Sequence, residues 1–217
     1  ACIVVGLGCE TIGSAKVAAD IAESGKPVRE INIQKSGGSL KSIQKGVRMG
    51  RELLDKLSQQ KKEEHDFSEL ILGIECGGSD TSSGITANPA VGKASDILVE
   101  KGGTSILSET PELIGAEHIL AERAVNKKVA DKLIEIVNRA EQYALDVGVD
   151  IREVNPSPGN KEGGLTTLEE KSLGCVHKAG SAPLSEVIEF AEKPSKNGLV
   201  VMDTPGQDVE SITGMVA

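Results

Sequence analysis

Short β-branched and aliphatic runs alternate along this chain with stretches in which apolar residues recur every three or four positions. That alternation is the pattern of βαβ units built around a parallel sheet. The strand-like runs are residues 3–7, 28–33, 70–74, 104–107 and 199–202. Between them, residues 11–24 carry Val17, Ala18, Ile21 and Ala22 at helical spacing and stop at Gly25. Residues 39–57 place Leu40, Ile43, Val47, Leu53, Leu54 and Leu57 on one face, with Lys and Arg on the other. Residues 89–101 predict a helix with Asn88 as its cap and Pro89 at its first position. Residues 125–147 predict the longest helix, with Val129, Leu133, Ile136, Val137, Ala140 and Ala144 as its stripe. The hydrophilic run 58–66 reads as a solvated helix end and loop.

A second organised loop spans residues 154–167, with Asn155-Pro156-Ser157-Pro158-Gly159-Asn160 followed by Gly163-Gly164. It leads into a short helix that Thr166 and Glu169 would open as a capping box. Together these elements predict one α/β domain, a Rossmann-like, mostly parallel sheet flanked by helices. Residues 154–183 form its elaborated Gly/Pro-rich loop or lid. The chain opens without Met on Cys2-Ile3-Val4-Val5, already a buried-strand pattern, and so reads as a piece excised from a longer polypeptide.

Composition narrows the function. Of 217 residues, none is Trp, one is Tyr and two are Phe, so the core must be aliphatic and stacking platforms for single-stranded nucleic acid are lacking. A net charge of -9 opposes phosphate-backbone binding. No apolar run reaches the roughly 20 residues of a membrane span. Neither nucleic acid nor a membrane is an expected partner. Cys2, Cys9, Cys76 and Cys175 show no CxxC spacing and no secretory signal accompanies them, so they read as reduced cytoplasmic thiols.

The richest chemistry sits in Cys76-Gly77-Gly78-Ser79-Asp80-Thr81-Ser82-Ser83-Gly84, directly after the strand at 70–74. In open α/β sheets, ligands bind outside the carboxyl ends of the strands. Cys9, Cys76 and Cys175 each lie near an element end among glycines. Thiolates from separate loops can converge on iron or zinc, whereas buried free cysteines more commonly act as small hydrophobes. Asp80, Glu109 and Asp203 all follow predicted strands, where carboxylates bind metal, move protons or merely cap the next helix. His65 lies in the charged run, while His118 and His177 fall near the Glu109 and Cys175 segments.

Better-known motifs drop out. Asp203-Thr204-Pro205-Gly206 has no GxxxxGK[ST] loop before it, Thr11 stands where a dinucleotide fingerprint needs its third glycine, and no GxSxG elbow occurs. What remains is a small-molecule site with a metal.

The chain resembles the altronate/galactarate dehydratase family of sugar-acid hydro-lyases. The matching stretches are Leu7-Gly8-Cys9-Glu10, Cys76 through Asp80, Ser83 through Ala90, Ser108-Glu109-Thr110-Pro111-Glu112 and Gly115-Ala116-Glu117-His118. They continue with Asn155 through Lys161, Gly163 through Thr167, Glu170 through Gly174 and Met202 through Gly206. The resemblance implies the main α/β portion of an enzyme whose other parts are a small N-terminal domain or subunit and a C-terminal segment. It also implies a divalent metal, usually iron, and loss of water from an aldonate or aldarate to give a 2-keto-3-deoxy acid. A related branch eliminates sulfite from sulfolactate.

On that implied reaction, Cys9, Glu10, Cys76, Asp80 and Cys175 are the candidate metal shell, with an iron–sulfur cluster as the alternative. His118 is the candidate proton carrier, Glu109 a further catalytic candidate that could instead join the metal shell, and Lys161 the cation for a carboxylate. Ser79, Thr86, Asn88, Asn160 and Asp203 are the candidate substrate contacts. The expected partners are a sugar acid, the remaining segments of the enzyme and further copies of the chain. A non-catalytic sugar-acid binding module is the competing class.

Overall fold

A computed structural model describes residues 1–216. The chain divides into two compact units, Ala1–Glu64 and His65–Ala217, where the sequence pattern suggests one. The break falls in the hydrophilic run 58–66. The strands form two sheets.

The first unit is a single βαβ motif followed by a helix: β1 (Cys2–Gly6), α1 (Ser14–Ala22), β2 (Val28–Asn32) and α2 (Ser39–Ser58). The two strands pair in parallel, with Cys2 opposite Val28 and Gly6 opposite Asn32. Ile31 and Leu53 are buried, but Leu40, Ile43, Val47 and Leu54 of the α2 stripe remain exposed. Two strands have too little surface to cover a twenty-residue helix.

The second unit runs β3 (Ile71–Ile74), α3 (Thr81–Ile85), α4 (Ala87–Glu100), β4 (Thr104–Leu107), α5 (Glu117–Glu122) and α6 (Lys127–Asp146). It continues with α7 (Ile151–Val154), α8 (Pro158–Glu162), α9 (Leu168–Val176), β5 (Leu184–Ile188), β6 (Gly198–Met202) and α10 (Asp208–Val216). Its sheet has the order β3-β4-β6-β5 and every pairing is parallel. The central strands β4 and β6 are buried along their whole length, which requires cover on both faces. Side chains alternate accordingly. Leu107, Leu199 and Val201 join the main core with Leu113, Leu120, Leu133 and Ile136, while Ile106, Val200, Ile188 and Met202 form a smaller cluster.

Several local expectations shift. Strand β5 is absent from the sequence pattern because Ser185 and Glu186 interrupt its apolar run. Only residues 189–197 connect it to its parallel neighbour β6, fewer than the dozen or more such a crossover normally takes. Helix α4 begins at Ala87 rather than after an Asn88 cap. Pro89 is tolerated in its first turn, where backbone N–H groups have no helical partner anyway. The capping function moves upstream to Asp80, which accepts from the Ser83 N–H at 2.6 Å and opens α3. At α9 the cap is Thr167, whose Oγ1 accepts from the Glu170 N–H at 3.1 Å, one residue beyond the expected pair.

The segment expected as a lid is instead folded into the unit. Leu168, Ser172, Cys175, Val176, Lys178 and Ala179 are all buried. Among the described residues, no helix is long and apolar enough to cross a membrane.

Candidate functional site

Because β3, β4 and β6 are parallel, the residues that follow them emerge at one edge of the sheet. Glu75 and Cys76 follow β3, Glu109 follows β4 and Asp203 follows β6. Glu109 takes a left-handed backbone conformation, φ 66°, which a non-glycine residue holds only at a cost of about 1–3 kcal/mol. The conformation is pinned by its N–H, which donates to Thr204 Oγ1 at 2.6 Å. Thr110 Oγ1 then donates to Asp203 Oδ1 at 2.6 Å and accepts from the Thr204 N–H at 3.2 Å, tying the ends of β4 and β6 together.

The turn projects the Glu109 carboxylate toward the Cys76 loop, where Oε2 accepts from the Cys76 N–H at 2.6 Å. One turn on, Glu112 joins it. Ligand atoms of Cys76, Glu109 and Glu112 lie within 4.8 Å of one another. Lys178, with a side chain only 4% exposed, reaches Glu112 Oε2 at 2.9 Å and Glu109 Oε2 at 3.7 Å. Cys175 Sγ donates to the same Glu112 oxygen at 3.1 Å, and Lys171 Nζ stands 3.5 Å from Glu112 Oε1.

Two close helix contacts permit this convergence. Gly84 and Gly174 meet where α3 crosses α9, and a Cβ on either would sit 3.3–3.4 Å from the other's Cα. A Cβ on Gly92 of α4 would come within 2.1 Å of the His177 carbonyl, so only glycine lets α4 approach the turn that carries Lys178.

The electrostatics separate the two acids. Burial, then the negative charge of Glu112, pushes Glu109 up to about 7 against the pull of Lys178. Glu112 is also desolvated, but the Lys178 ammonium and the hydrogen bonds from Lys178 and Cys175 hold it below the usual carboxylate range. Burial and the charge of Glu112 raise both thiols, Cys175 well above the ordinary cysteine value. Desolvation works against the Lys178 ammonium, yet its acidic neighbours keep it above the ordinary lysine value. Glu75, whose Oε1 is buried without a hydrogen-bond partner, is raised by burial and then by Asp208.

Beside this cluster lies a cavity of about 210 Å³, lined by Ser79, Ser83, Asn88, Lys171 and His177 and by apolar residues such as Ile85 and Leu173. Two contacts join cavity and cluster: Ser79 Oγ lies 3.3 Å from Cys76 Sγ, and Lys171 pairs with Glu112.

The residues singled out in the sequence fall in both units. Cys9 and Glu10 belong to the first unit and are exposed, with Glu10 accepting from the Gly8 N–H at 2.5 Å, a bond that lowers its pKa. In the second unit Cys76 and Glu109 enter the cluster, and Cys175 touches it through Glu112. Asp80 stays at the start of α3 on the cavity rim. His118 and Lys161 are exposed on α5 and α8, and neither exchanges a hydrogen bond with Glu109 among the described residues. Ser79 and Asn88 line the cavity, and Asn88 Nδ2 also donates to the Gly174 carbonyl at 2.9 Å.

Thr86 Oγ1 is spent on the Ser82 carbonyl at 2.6 Å. Asn160 Nδ2 donates to the Ser79 carbonyl at 2.8 Å, bracing the Cys76 loop. Asp203 is engaged by Thr110 and by Arg139, which also grips Glu189. Glu112, Lys171 and Lys178 were not singled out by sequence reasoning. Glu112 and Lys171 do lie in stretches that carry the family resemblance, while the signal for Lys178 is spacing: like Glu109 and Glu112, Cys175 and Lys178 stand three residues apart, which sets each pair on one side of a helical turn.

Residues 67–217 match the family described as D-galactarate/altronate dehydratase, C-terminal, and residues 1–58 match D-galactarate dehydratase/altronate hydrolase, second domain. The chain is 38% identical to altronate dehydratase of Bacillus subtilis over 99% of its own length and 43% of the relative's. It is 40% identical to the L-threo-forming galactarate dehydratase of Escherichia coli over 99% and 42%. To the beta subunit of (2R)-sulfolactate sulfo-lyase of Chromohalobacter salexigens it is 38% identical over 97% and 54%. The chain therefore spans about half the length of these relatives or less. With both of its units matched, the chain belongs to the D-galactarate/altronate dehydratase family.

Proposed function

We propose that this chain carries the proton-transfer machinery of an enzyme that dehydrates a sugar acid to a 2-keto-3-deoxy acid. The observation that carries this reading is the convergence of Cys76, Glu109, Glu112 and Lys178 at the carboxyl ends of β3 and β4, beside a cavity that Ser79, Asn88 and Lys171 line. The kinship with altronate and galactarate dehydratases supports it.

In this reading the polyol chain of the substrate occupies the cavity, where Ser79, Ser83 and Asn88 offer hydrogen-bond partners and Lys171 pairs with a carboxylate. Glu109 takes the proton from the carbon next to that carboxylate. Both named contacts of this side chain use Oε2, leaving Oε1 to receive the proton. Glu109 then gives that proton to the departing hydroxyl of the neighbouring carbon, which leaves as water, and the enol product tautomerises to the 2-keto acid.

A thiol and two carboxylates suit a divalent first-row ion, so Cys76, Glu109 and Glu112 are the residues that would hold the metal implied by the family resemblance. When bound, it supplies Lewis acidity toward the negative charge that builds beside the substrate carboxylate. A mononuclear ion suits this set better than a cluster, because the set offers a single thiol, Cys76.

The test is turnover by the full-length protein, with galactarate, altronate and (2R)-sulfolactate as substrates and assays for 2-keto-3-deoxy acid and sulfite. Keto-acid formation that Glu109→Gln abolishes is the expected result. Binding of a sugar acid without product would make the protein a binding module. Sulfite release alone would move it to the sulfo-lyase branch, which its 38% identity to that subunit brings into the panel.

A further inference from the structure

Lys178 is the one member of the cluster with no counterpart in the reaction just described. Its ammonium is almost fully withdrawn from water, which is tolerable only with anionic partners. It has two, Glu112 Oε2 at 2.9 Å and Glu109 Oε2 at 3.7 Å. These are two of the three side chains whose ligand atoms lie within 4.8 Å of one another. We propose that Lys178 is the resident countercation of the Glu109–Glu112 pair, and that a divalent ion at Cys76, Glu109 and Glu112 binds only in competition with its ammonium. The inference rests on the metal reading above.

The argument is one of charge and space. Two buried carboxylates beside each other are costly unless a cation sits between them. Lys178 meets that need, with Lys171 assisting from the cavity side at 3.5 Å from Glu112 Oε1. A dication drawing ligands from the same three side chains would lie within a few ångströms of the ammonium, and their repulsion weakens its binding. Glu112 Oε2 already accepts from both Lys178 and Cys175, so a metal bond there must replace one of these contacts. The folded chain therefore keeps its acid pair assembled before any metal arrives, at the expense of metal affinity.

The experiment titrates metal-free full-length protein with Co²⁺, whose visible and thiolate charge-transfer bands report binding and Cys76 ligation without reference to turnover. Lys178→Met is expected to bind Co²⁺ at least tenfold more tightly than the unsubstituted protein. It should also melt several degrees lower when metal-free and gain more in melting temperature when metal is added. The double variant Lys178→Met/Glu112→Gln removes both charges together. It should recover most of the metal-free stability and lose the tight cobalt site.

Equal or weaker cobalt binding by Lys178→Met overturns the proposal. So does a failure of the double variant to recover stability, which also decides the matter should Lys178→Met not fold. If cobalt binds the unsubstituted protein and Lys178→Met equally, with a thiolate band in both, only this inference falls. If it binds neither, the metal reading falls with it.

Discussion

The Glu109 N–H donates to Thr204 Oγ1 at 2.6 Å, joining the ends of two adjacent strands through residues 95 positions apart. Both residues are buried, and the bond holds Glu109 in the left-handed conformation that aims its carboxylate at Cys76. Thr204→Val keeps the shape but leaves that N–H without an acceptor, at a cost of about 1–3 kcal/mol. Thr204→Ser keeps the acceptor and should stay within about 1 kcal/mol of the parent, the size of a lost methyl group. Urea denaturation of the three proteins checks the ranking. If the full-length protein turns over as proposed, Thr204→Val should also lower kcat more than it raises KM, because it displaces the proposed base rather than the cavity.

Stability should depend on pH through the same carboxyl. Glu109 titrates at about 7 in the fold, against ~4.3 for an ordinary glutamate. Between those values the folded state holds a proton that the unfolded chain has released. Stability from this group is therefore full below about pH 4 and falls as pH rises toward 7, by on the order of 2–3 kcal/mol. Glu112, held low by Lys178 and Cys175, acts in the opposite sense, with stability present above the ordinary glutamate value and lost in acid. Glu109→Gln should flatten the loss between pH 5 and 7 and leave the acid limb. Denaturant midpoints of the metal-free protein at half-unit pH steps measure both, and an unchanged slope in Glu109→Gln would exclude Glu109 as its source.

How much of this was legible beforehand depends on the range of the interaction. The strands at 71–74 and 198–202 are mostly aliphatic runs, and 104–107 follows Gly102-Gly103 and ends in Ile106-Leu107, so local pattern suffices for them. Strand β5 is not, because Ser185 and Glu186 sit at the sheet edge, where solvent takes part of the burial away. Cys76 and Glu109 are recognisable because strand ends in parallel sheets are ligand positions. Lys178 is not, since its value comes from Glu112, 66 residues earlier, and an isolated lysine in a helical run reads as surface. The loop 155–164 stands out for its turn residues, but its task as a brace appears only when Asn160 meets Ser79 and Gly163 meets Thr81.

Lys171 gives a substrate-side prediction. Its ammonium lines the cavity and leans on Glu112 Oε1 at 3.5 Å, a contact long enough to be shared with an incoming carboxylate. A charge-assisted hydrogen bond to that group is worth about 1.5–3 kcal/mol. Lys171→Met should therefore lower kcat/KM for a sugar acid by about 10–150-fold, mostly through KM. Glu112 keeps Lys178 as its cation, so the fold should tolerate the change. Steady-state kinetics on galactarate or altronate decide it, and a loss confined to kcat would take Lys171 out of the binding role.

Asn160 tests whether the brace matters to chemistry. Its Oδ1 accepts from the N–H of Ser157, the residue that caps α8, at 3.1 Å, while its Nδ2 donates to the Ser79 carbonyl at 2.8 Å. The two ends do different work, so two substitutions separate them. Asn160→Ala loses both and should cost about 1–2 kcal/mol. Asn160→Asp keeps the acceptor for Ser157 but turns a second oxygen toward the Ser79 carbonyl, and the repulsion pushes the Cys76–Asp80 loop away. Stability should then fall less than in Asn160→Ala, while turnover falls at least as far, because Ser79 links the cavity to Cys76. If Asn160→Asp keeps full activity, the bond to Ser79 is scaffolding without consequence for the site. If instead both variants lose activity in proportion to stability, Asn160 acts through folding alone.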